Sequence, residues 1–299
     1  MTQPADFRFH HRLRVRWVEV DAQQVVFNGH YLTYLDVAVS EFWRTVGLPY
    51  PDAMRHVGGD IFVRRNTLAY HAPARLDDWL DIGMRCERIG TSSITLNWAV
   101  WSQGRLLVTG EVVYVFTDLA SGRSAPVPAS LRAPLDAHEQ GQPVTRLRCG
   151  SWAEWGEAAR AVRLAVFVGE QGIPEAEEWD ADDADAVHAV VSNLAGLPLA
   201  TGRLILSGDP AQAREAGEAA HEGWARIGRM AVLRSARGIG LGRQVLQALM
   251  AEARQRGVQR LDLHAQVAAM PLYTQAGFVP HGAVFDEVGI PHQRMTLAL

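Results

Sequence analysis

Between Val232 and Leu246 the chain reads VLRSARGIGLGRQVL, and few backbone arrangements accommodate that order of residues. Apolar Ile227, Met230, Val232 and Leu233 give way to a basic, glycine-rich turn. Leu241, Val245, Leu246 and Leu249 then recur at helical spacing. The pattern predicts a strand, a tight loop and the start of a helix. Gly238, Gly240 and Gly242 remove Cβ atoms where the backbone must approach another group closely. A helix start leaves N–H groups unpaired and carries partial positive charge, which favours an anion there. Arg237 and Arg243 flank the loop with full charges. The physical reading is a cradle for a pyrophosphate; the plainer one is a glycine-rich turn between packed elements. Neither the dinucleotide spacing G-x-G-x-x-G nor a Walker loop fits, because no Gly-Lys-Ser/Thr follows.

The chain of 299 residues has room for two domains of about 150 residues each. Hydrophobic residues make up 48% and charged residues 21%, the balance of a soluble globular protein. The formal net charge of −4 provides no basic surplus to neutralise phosphates, which excludes a general nucleic-acid binder. Cys86 and Cys149 are the only cysteines, so neither a disulfide framework nor a Cys-based zinc site is expected, and no metal site is assigned. No apolar run resembles a signal-peptide core or approaches transmembrane length, so no membrane association and a cytoplasmic location are expected.

In the first half, Phe7, Phe9, Leu13, Val15 and Trp17 alternate as in a strand. After a polar break at Glu19–Gln24, Tyr31, Tyr34, Leu35, Ala38 and Phe42 form one helical face that ends near Gly47 and Pro49. Strand character returns at Ile61–Tyr70, Trp79–Ile89, Ser93–Trp101 and Leu106–Thr117, with turns at Gly90-Thr91 and Gln103-Gly104. One long helix followed by a meander of long strands predicts an α+β layer with the helix wrapped in an antiparallel sheet.

The segment RWVEVDAQQVVFNGHYLTYLD (Arg16 to Asp36) resembles the opening of hotdog-fold acyl-CoA thioesterases of the 4-hydroxybenzoyl-CoA thioesterase type. TLAYHAPARLDDWLDI, RIGTSSI and APVPASLR are also similar to that family. The resemblance implies that Asp21 is the catalytic carboxylate, attacking the thioester or deprotonating water, and that the Asn28 backbone N–H faces the thioester oxygen. The alternative for Asp21 is a solvated loop or helix-capping acid. The sequence departs from the family at Gln24, where Gly is usual, and at Asn28, where His or Tyr is usual. His30 is a nearby candidate base, and Arg64, Arg65, Ser92 and Ser93 are candidate contacts to CoA. Hotdog domains of this kind pair into dimers with sites at the subunit interface, so the resemblance implies at least a homodimer.

Pro134 to Val144 is polar, carries Gly and two Pro residues and lacks periodicity, so it reads as a linker. The expected division is a first domain at 1–135, a linker at 136–147 and a second domain at 148–299. In the second half Ser151 is a candidate cap for a helix over Trp152–Val168, and Val187–Ser192 and Leu199–Leu206 read as strands. Ser207–Glu222 reads as a surface insertion, Ala225–Val232 as the strand before the cradle and Arg260–His264 as the strand after its helix. Strands alternating with helices predict an α/β fold.

Arg237, Gly240 and Gly242 match Arg/Gln-x-x-Gly-x-Gly/Ala, and so resemble the acetyl-CoA signature of the GNAT N-acyltransferases. VFVGEQGIPEAEEWDADDADAVHAVV, LDLHAQVAAMPLYTQAGF and VPHGAVFDEVGIPHQRM are similar to the ElaA-like branch of that family. The resemblance implies that CoA lies where two neighbouring strands splay. Met230, Val232, Arg237, Gly238, Gly240, Leu241, Gly242 and Arg243 would hold it, and Tyr273 would protonate the departing thiolate. Glu170 and Gln171 are candidates for the acceptor side, and His188 and His292 are either acceptor-pocket residues or ordinary satisfied histidines. The run Glu175–Asp185 holds seven carboxylates and is either an attractor of a cationic amine or a solvated loop.

The expected fold is thus an α+β hotdog domain followed by an α/β GNAT domain, and the expected function is bifunctional. The first domain would hydrolyse an acyl-CoA thioester, and the second would transfer an acetyl group from CoA to an amine acceptor. Acetyl-CoA or acyl-CoA is the expected co-substrate, with no permanently bound cofactor. The alternative is an acetyltransferase whose hotdog domain only binds acyl-CoA and dimerises.

Overall fold

Alternating and helically spaced apolar residues of the first half become one long helix and a sheet. The computed structural model describes residues 2–206 and 223–299, so the expected insertion at 207–222 lies outside the described residues. The chain divides into two compact units, Met1–Thr145 with Asn193–Leu197, and Arg146–Ser192 with Pro198–Leu299. In the first, strand β1 is Phe9–Arg14, helix α1 is His30–Thr45 and the short helix α2 is Asp52–His56. Strands β2 (Gly59–Tyr70), β3 (Trp79–Ile89), β4 (Ser93–Ser102) and β5 (Arg105–Asp118) follow, then β6 (Arg123–Ser124) and helix α3 (Ala129–Glu139).

The sheet order is β1-β3-β4-β5-β2, with β6 beside β5, and every pairing is antiparallel. Helix α1 buries Tyr31, Tyr34, Leu35, Ala38, Val39, Phe42 and Trp43, steps of three and four residues that put them all on one face. That face joins Phe9, Leu80, Ile82, Met84, Ile94 and Leu96 in one core, and Phe42 meets Phe9 edge to face at 5.5 Å. Each large apolar side chain buried in this way contributes about 1.5–3 kcal/mol. The helix wrapped by an antiparallel sheet is the hotdog arrangement.

In the second unit, β7 is Thr145–Gly150, helix α4 is Trp152–Arg163 and the short helix α5 is Glu175–Glu178. Strands β8 (Val187–Asn193), β9 (Pro198–Ile205) and β10 (Trp224–Val232) lead to helix α6 (Leu241–Gln255) and strand β11 (Arg260–Gln266). Helix α7 (Met270–Gln275) and the hairpin β12 (Val279–Glu287) and β13 (Ile290–Ala298) complete it. The sheet order is β12-β13-β11-β10-β9-β8-β7. The β10–β11 pairing, around the crossover through α6, is parallel. Helix α6 buries Leu241, Val245, Leu246, Leu249, Met250 and Ala253, the face its spacing predicts. Among the described residues no helix is long and apolar enough to cross a membrane.

Two local expectations are corrected. The stretch expected to be a linker at 136–147 is helical up to Glu139 and enters β7 at Thr145. Pro134 lies inside α3, but Leu131, Pro134, Leu135 and Ala137 are buried together, and that apolar face outweighs the lost N–H of one proline. The expected helix to Val168 ends as an α-helix at Arg163 and continues as a π-helix over Leu164–Glu170. The wider winding is closed by Gln171 N–H donating to the Val166 carbonyl at 3.0 Å. It seats Glu170 against Arg237, a pairing described below.

Candidate functional site

Each unit presents a helix whose N-terminus has no side-chain cap, with Asp21 and Asn28 near the one and the Gly238–Arg243 loop at the other. In the first unit Phe27 N–H donates to the Glu19 carbonyl at 3.0 Å, and Val20 bridges Val26 in an antiparallel pair. These contacts draw the two limbs of the loop together, so Asp21 on one limb and Asn28 on the other sit at the same end of α1. The Asp21 N–H donates to the Val25 carbonyl, and the Asp21 carbonyl accepts from Gln24 N–H, both at 2.9 Å. One carboxylate oxygen, Oδ1, accepts the Gln23 N–H at 2.8 Å. Oδ2 has no partner among the described residues. Asp21 therefore caps its own turn with one oxygen and keeps the other free for chemistry.

Gly29 caps α1 without a side-chain bond. Among the described residues the N–H groups of Asn28 and Gly29 find no acceptor; His30 is the first to do so, donating to the Phe27 carbonyl at 2.9 Å. Two free donors at the positive end of a 16-residue helix suit a developing oxyanion. The Asn28 carbonyl is fixed by the Tyr70 hydroxyl at 3.2 Å. Gln24, where the family usually has Gly, stands at φ 60°, a left-handed conformation that glycine adopts more easily. Its side chain is exposed, so it does not crowd the loop.

Glu19 is the residue sequence reasoning missed. It is 1% exposed, and accepts hydrogen bonds from the Arg16 N–H, the Arg16 guanidinium and the Tyr34 hydroxyl at 2.5–2.8 Å. Burial works to raise its pKa, yet the Arg16 and Tyr34 hydrogen bonds outweigh that and hold it below the ordinary value. Glu19 is a fixed anion that braces the loop carrying Asp21. In sequence it was one more acid in a polar break. Arg64 and Arg65 line a surface depression on the sheet with Arg88, Glu87 and Glu111, but Arg65 already pairs with Glu111 at 2.6 Å. Ser92 and Ser93 are not part of that lining.

In the second unit β10 and β11 pair only from Trp224 and Arg260 to Arg226 and Asp262, although both strands run on beyond that point. They therefore splay. On its other side β10 keeps pairing with β9, across a bulge between Gly228 and Ala231, where Arg229 adopts φ 51°. Backbone groups of β10 beyond Arg226 are thus left without a partner from β11. The splay opens into a cleft of about 460 Å³ lined by Phe167, Met230, His264, Tyr273, Glu287 and His292, among others.

The glycine loop stands beside it. Gly238 and Gly240 have φ 91° and 86°, and a Cβ at either would meet nothing within 4 Å. Their requirement is thus the left-handed turn rather than a tight contact with protein atoms. Among the described residues the N–H groups of Gly238, Ile239 and Gly240 donate to no acceptor. Leu241 opens α6 from inside the core. A Cβ on Gly242 would lie 3.5 Å from Val232 and 3.6 Å from Leu272, which places the helix start against α7, the element that carries Tyr273. The Arg243 guanidinium ties the two by donating to the Gln275 side chain at 2.7 Å.

Arg237 is less free than expected. Its guanidinium makes a two-pronged bond to Glu170 at 2.7 and 2.8 Å and donates to the Val232 carbonyl at 3.2 Å. Gln171 pairs with Gln266 rather than lining the cleft. Of its two readings, His188 takes that of the ordinary satisfied histidine: it is buried, bonds the Asp183 carbonyl at 2.8 Å and packs on Trp152. Burial lowers its pKa. It belongs to the core, whereas His292 does line the cleft.

The acidic run is not a solvated loop throughout. Glu178 and Asp183 are buried on Arg163 at 2.5 and 2.7 Å, and Asp180 and Asp183 bind Arg203 at 2.5 and 2.7 Å. Arg229 adds a contact to Asp180 at 3.0 Å. Tyr273 is 6% exposed, and burial pushes its hydroxyl up to about 12. It therefore stays protonated at neutral pH, the form a proton donor needs.

Comparison with known proteins follows the same division. Residues 23–109 match the family described as the thioesterase superfamily, and residues 211–299 match the GNAT acetyltransferase domain. The acyl-CoA thioester hydrolase YbgC of Escherichia coli is 30% identical over 122 residues, covering 40% of this chain and 90% of that protein. The uncharacterised N-acetyltransferase YjcF of Bacillus subtilis is 32% identical over 135 residues, covering 45% of this chain and 86% of that protein. Among solved structures, a Thermus thermophilus thioesterase complexed with coenzyme A and zinc is 27% identical. It covers 46% of this chain and 98% of that chain, with a TM-score of 0.40.

Proposed function

Because the chain belongs to the thioesterase superfamily in its N-terminal part and to the GNAT acetyltransferases in its C-terminal part, we propose that it carries two catalytic sites for CoA esters. The first hydrolyses an acyl-CoA thioester; the second transfers an acetyl group from acetyl-CoA to an amine. The observation that carries this reading is the repeated constellation of an uncapped helix start, at Gly29 and at Gly240, beside a residue suited to thioester chemistry. Asp21 is that residue in the first unit and Tyr273 in the second.

At the first site the free Oδ2 of Asp21 attacks the thioester carbonyl or deprotonates a water that does so. The Asn28 N–H, with that of Gly29 beside it, receives the charge that develops on oxygen. At the second, the open amides of Gly238–Gly240 and the positive end of α6 hold the pyrophosphate. The pantetheine arm lies between β10 and β11, where its amides find the strand groups left unpaired by the splay. Met230 lines the pocket that receives the acetyl group. Arg243 and Arg237 add positive charge at the loop, Arg237 after exchanging Glu170 for phosphate oxygens. The amine attacks, and the Tyr273 hydroxyl protonates the leaving sulfur.

We further propose that two copies pair along β2, whose twelve residues form one edge of the sheet. Phe62, Val63 and Tyr70 on it are each more than half exposed. A long apolar edge of this kind favours addition of another strand. A hotdog half that only binds acyl-CoA and dimerises is the second reading, favoured by the departures at Gln24 and Asn28.

Free-thiol release from short, long and aromatic acyl-CoAs separates the readings. Asp21→Ala is expected to lower thiol release at least 10²-fold while leaving acetyl-CoA binding by the second unit intact, and Gly240→Val to do the reverse. Equal thiol release by wild type and Asp21→Ala, across all three acyl classes, overturns the hydrolase assignment.

A further inference from the structure

The second unit's cleft holds a pair of titratable side chains that acetyl-CoA binding does not use. His264 is on β11 and Glu287 on β12, and both line the cleft with Tyr273. The last parallel pair of the splayed strands is Arg226 with Asp262. Two residues further on, His264 is level with Gly228, where the bulge of β10 begins. His264 lines the opening, on the side of the splay where the acetyl-transfer reading puts the thioester carbonyl. His264 Nδ1 stands 3.4 Å from Glu287 Oε2. That oxygen is buried and, with the ring nitrogen at 3.4 Å, has no hydrogen-bond partner at ordinary distance among the described residues. Phe285 meets the imidazole edge to face at 4.9 Å and fixes the plane of the ring.

We propose that His264 accepts the proton of the acceptor nitrogen in the second unit, and that Glu287 holds its ring in the tautomer that does so. The assignment rests on the acetyl-transfer reading of this unit and names the base that reading lacks. A carboxylate can only accept a hydrogen bond, so Nδ1 facing Glu287 carries the proton and Nε2 is left with its lone pair. Glu287 itself is the poorer base: the interaction with His264 holds its pKa below the ordinary value against its own desolvation, with His292 and Arg229 adding to the effect.

The other ionisable groups facing the pair have partners of their own. Arg294 on β13 binds Asp262 at 2.9 Å, Arg229 on β10 binds Asp180, and the Nδ1–H of His292 donates to the Ile290 carbonyl at 2.8 Å.

The step balances. The acceptor enters as an ammonium and gives one proton to His264 Nε2. The freed amine lone pair forms the C–N bond and the carbonyl π pair moves to oxygen. As the carbonyl re-forms the C–S bond breaks, and its electron pair leaves on sulfur. The nitrogen's second proton reaches that thiolate through the Tyr273 hydroxyl, which gives one proton and takes one. His264 then returns its proton to water, and the products are an amide and free CoA.

The test uses the full chain with acetyl-CoA and a simple primary alkylamine at high concentration as the probe acceptor. The N-acetyl product is quantified directly, so that thiol released by the first unit does not count. His264→Gln is expected to lower kcat about 10²-fold, leave acetyl-CoA affinity by calorimetry unchanged, and recover activity as pH approaches the pKa of the free amine. Glu287→Gln is expected to lower kcat less and to move the acidic limb of the pH profile downward, because loss of a carboxylate makes a neighbouring imidazolium easier to deprotonate. A merely structural role would not move that limb.

An NMR titration of the His264 ring in wild type and Glu287→Gln reads the same coupling without turnover, and so decides the matter even if the probe amine is not acetylated. Undiminished acetylation by His264→Gln, a large loss confined to His292→Gln, or an identical His264 titration with and without Glu287 overturns the proposal. Absence of acetyl-CoA binding by wild type would instead overturn the acyltransferase reading on which it rests.

Discussion

Gln24 occupies a turn position with φ 60°, a conformation that costs a residue with a Cβ about 1–2 kcal/mol. Glycine removes that cost but adds back about 0.5–1 kcal/mol of unfolded-state entropy. Gln24→Gly is therefore expected to stabilise the first unit by about 0.5–1 kcal/mol, seen as a higher urea midpoint at unchanged slope. An unchanged or lowered midpoint would mean that the Gln24 side chain makes a contact worth keeping. Tyr273 gives a kinetic prediction. Its hydroxyl, pushed up to about 12 by burial, remains a donor across the working range. Tyr273→Phe is thus expected to lower kcat for acetyl transfer about 10²-fold with little change in the KM for acetyl-CoA. A rise in KM alone would make it a packing residue. Asp21, the glycines and Tyr273 could be singled out as candidates in the sequence because each belongs to a short motif. Glu19 and Arg163 were not, since whether a charged side chain is solvated or buried on a partner depends on residues distant in sequence. The same limit hid Glu170 as the partner of Arg237, which lies 67 positions away.

At the scale of elements, periodicity read β2 to β5 to within two residues at each end, whereas the first strand, expected over Phe7–Trp17, spans only Phe9–Arg14. Strands β2 to β5 are long, and β3 to β5 each turn an apolar row into the core. Boundaries failed where two local rules conflict. Pro134 reads as a helix breaker, yet the apolar face of α3 carries the helix through it. No local pattern announces the π-helix at Leu164–Glu170 or the bulge before Ala231, because both are set by the strands and side chains packed against them. The acidic segment between α4 and β8 follows the same logic. Burial works to raise the pKa of Asp180, but hydrogen bonds from Arg203 and the charges of Arg203, Arg229 and Arg163 bring it below the ordinary value. A carboxyl depressed in the folded state stabilises it above the unfolded pKa of about 3.9, and that contribution is lost as pH falls through the lower folded value. Asp180→Asn is expected to cost about 1 kcal/mol at neutral pH, discounted for partial exposure. It should also flatten the fall in stability of the second unit below about pH 4. An acid-unfolding curve parallel to wild type would show that the network does not depend on this carboxylate.

At the scale of the whole molecule, the proposal is that two unrelated folds share one class of ligand. The opening glycine stretch, on its own, required only an anion at a helix start. On the proposed reading that anion is the pyrophosphate of CoA, and the splayed strands, the bulge at Arg229 and Tyr273 are the features of the second unit that fit it. The uncapped start of α1 beside Asp21 offers a second, independent place for a CoA thioester in the first. The account therefore stands on the number of sites. Calorimetric titration of the full chain with a non-hydrolysable acetyl-CoA analogue measures it directly. Two analogue molecules bound per chain, falling to one in Gly240→Val, is the predicted result; a single site per chain that Gly240→Val abolishes would contradict the account.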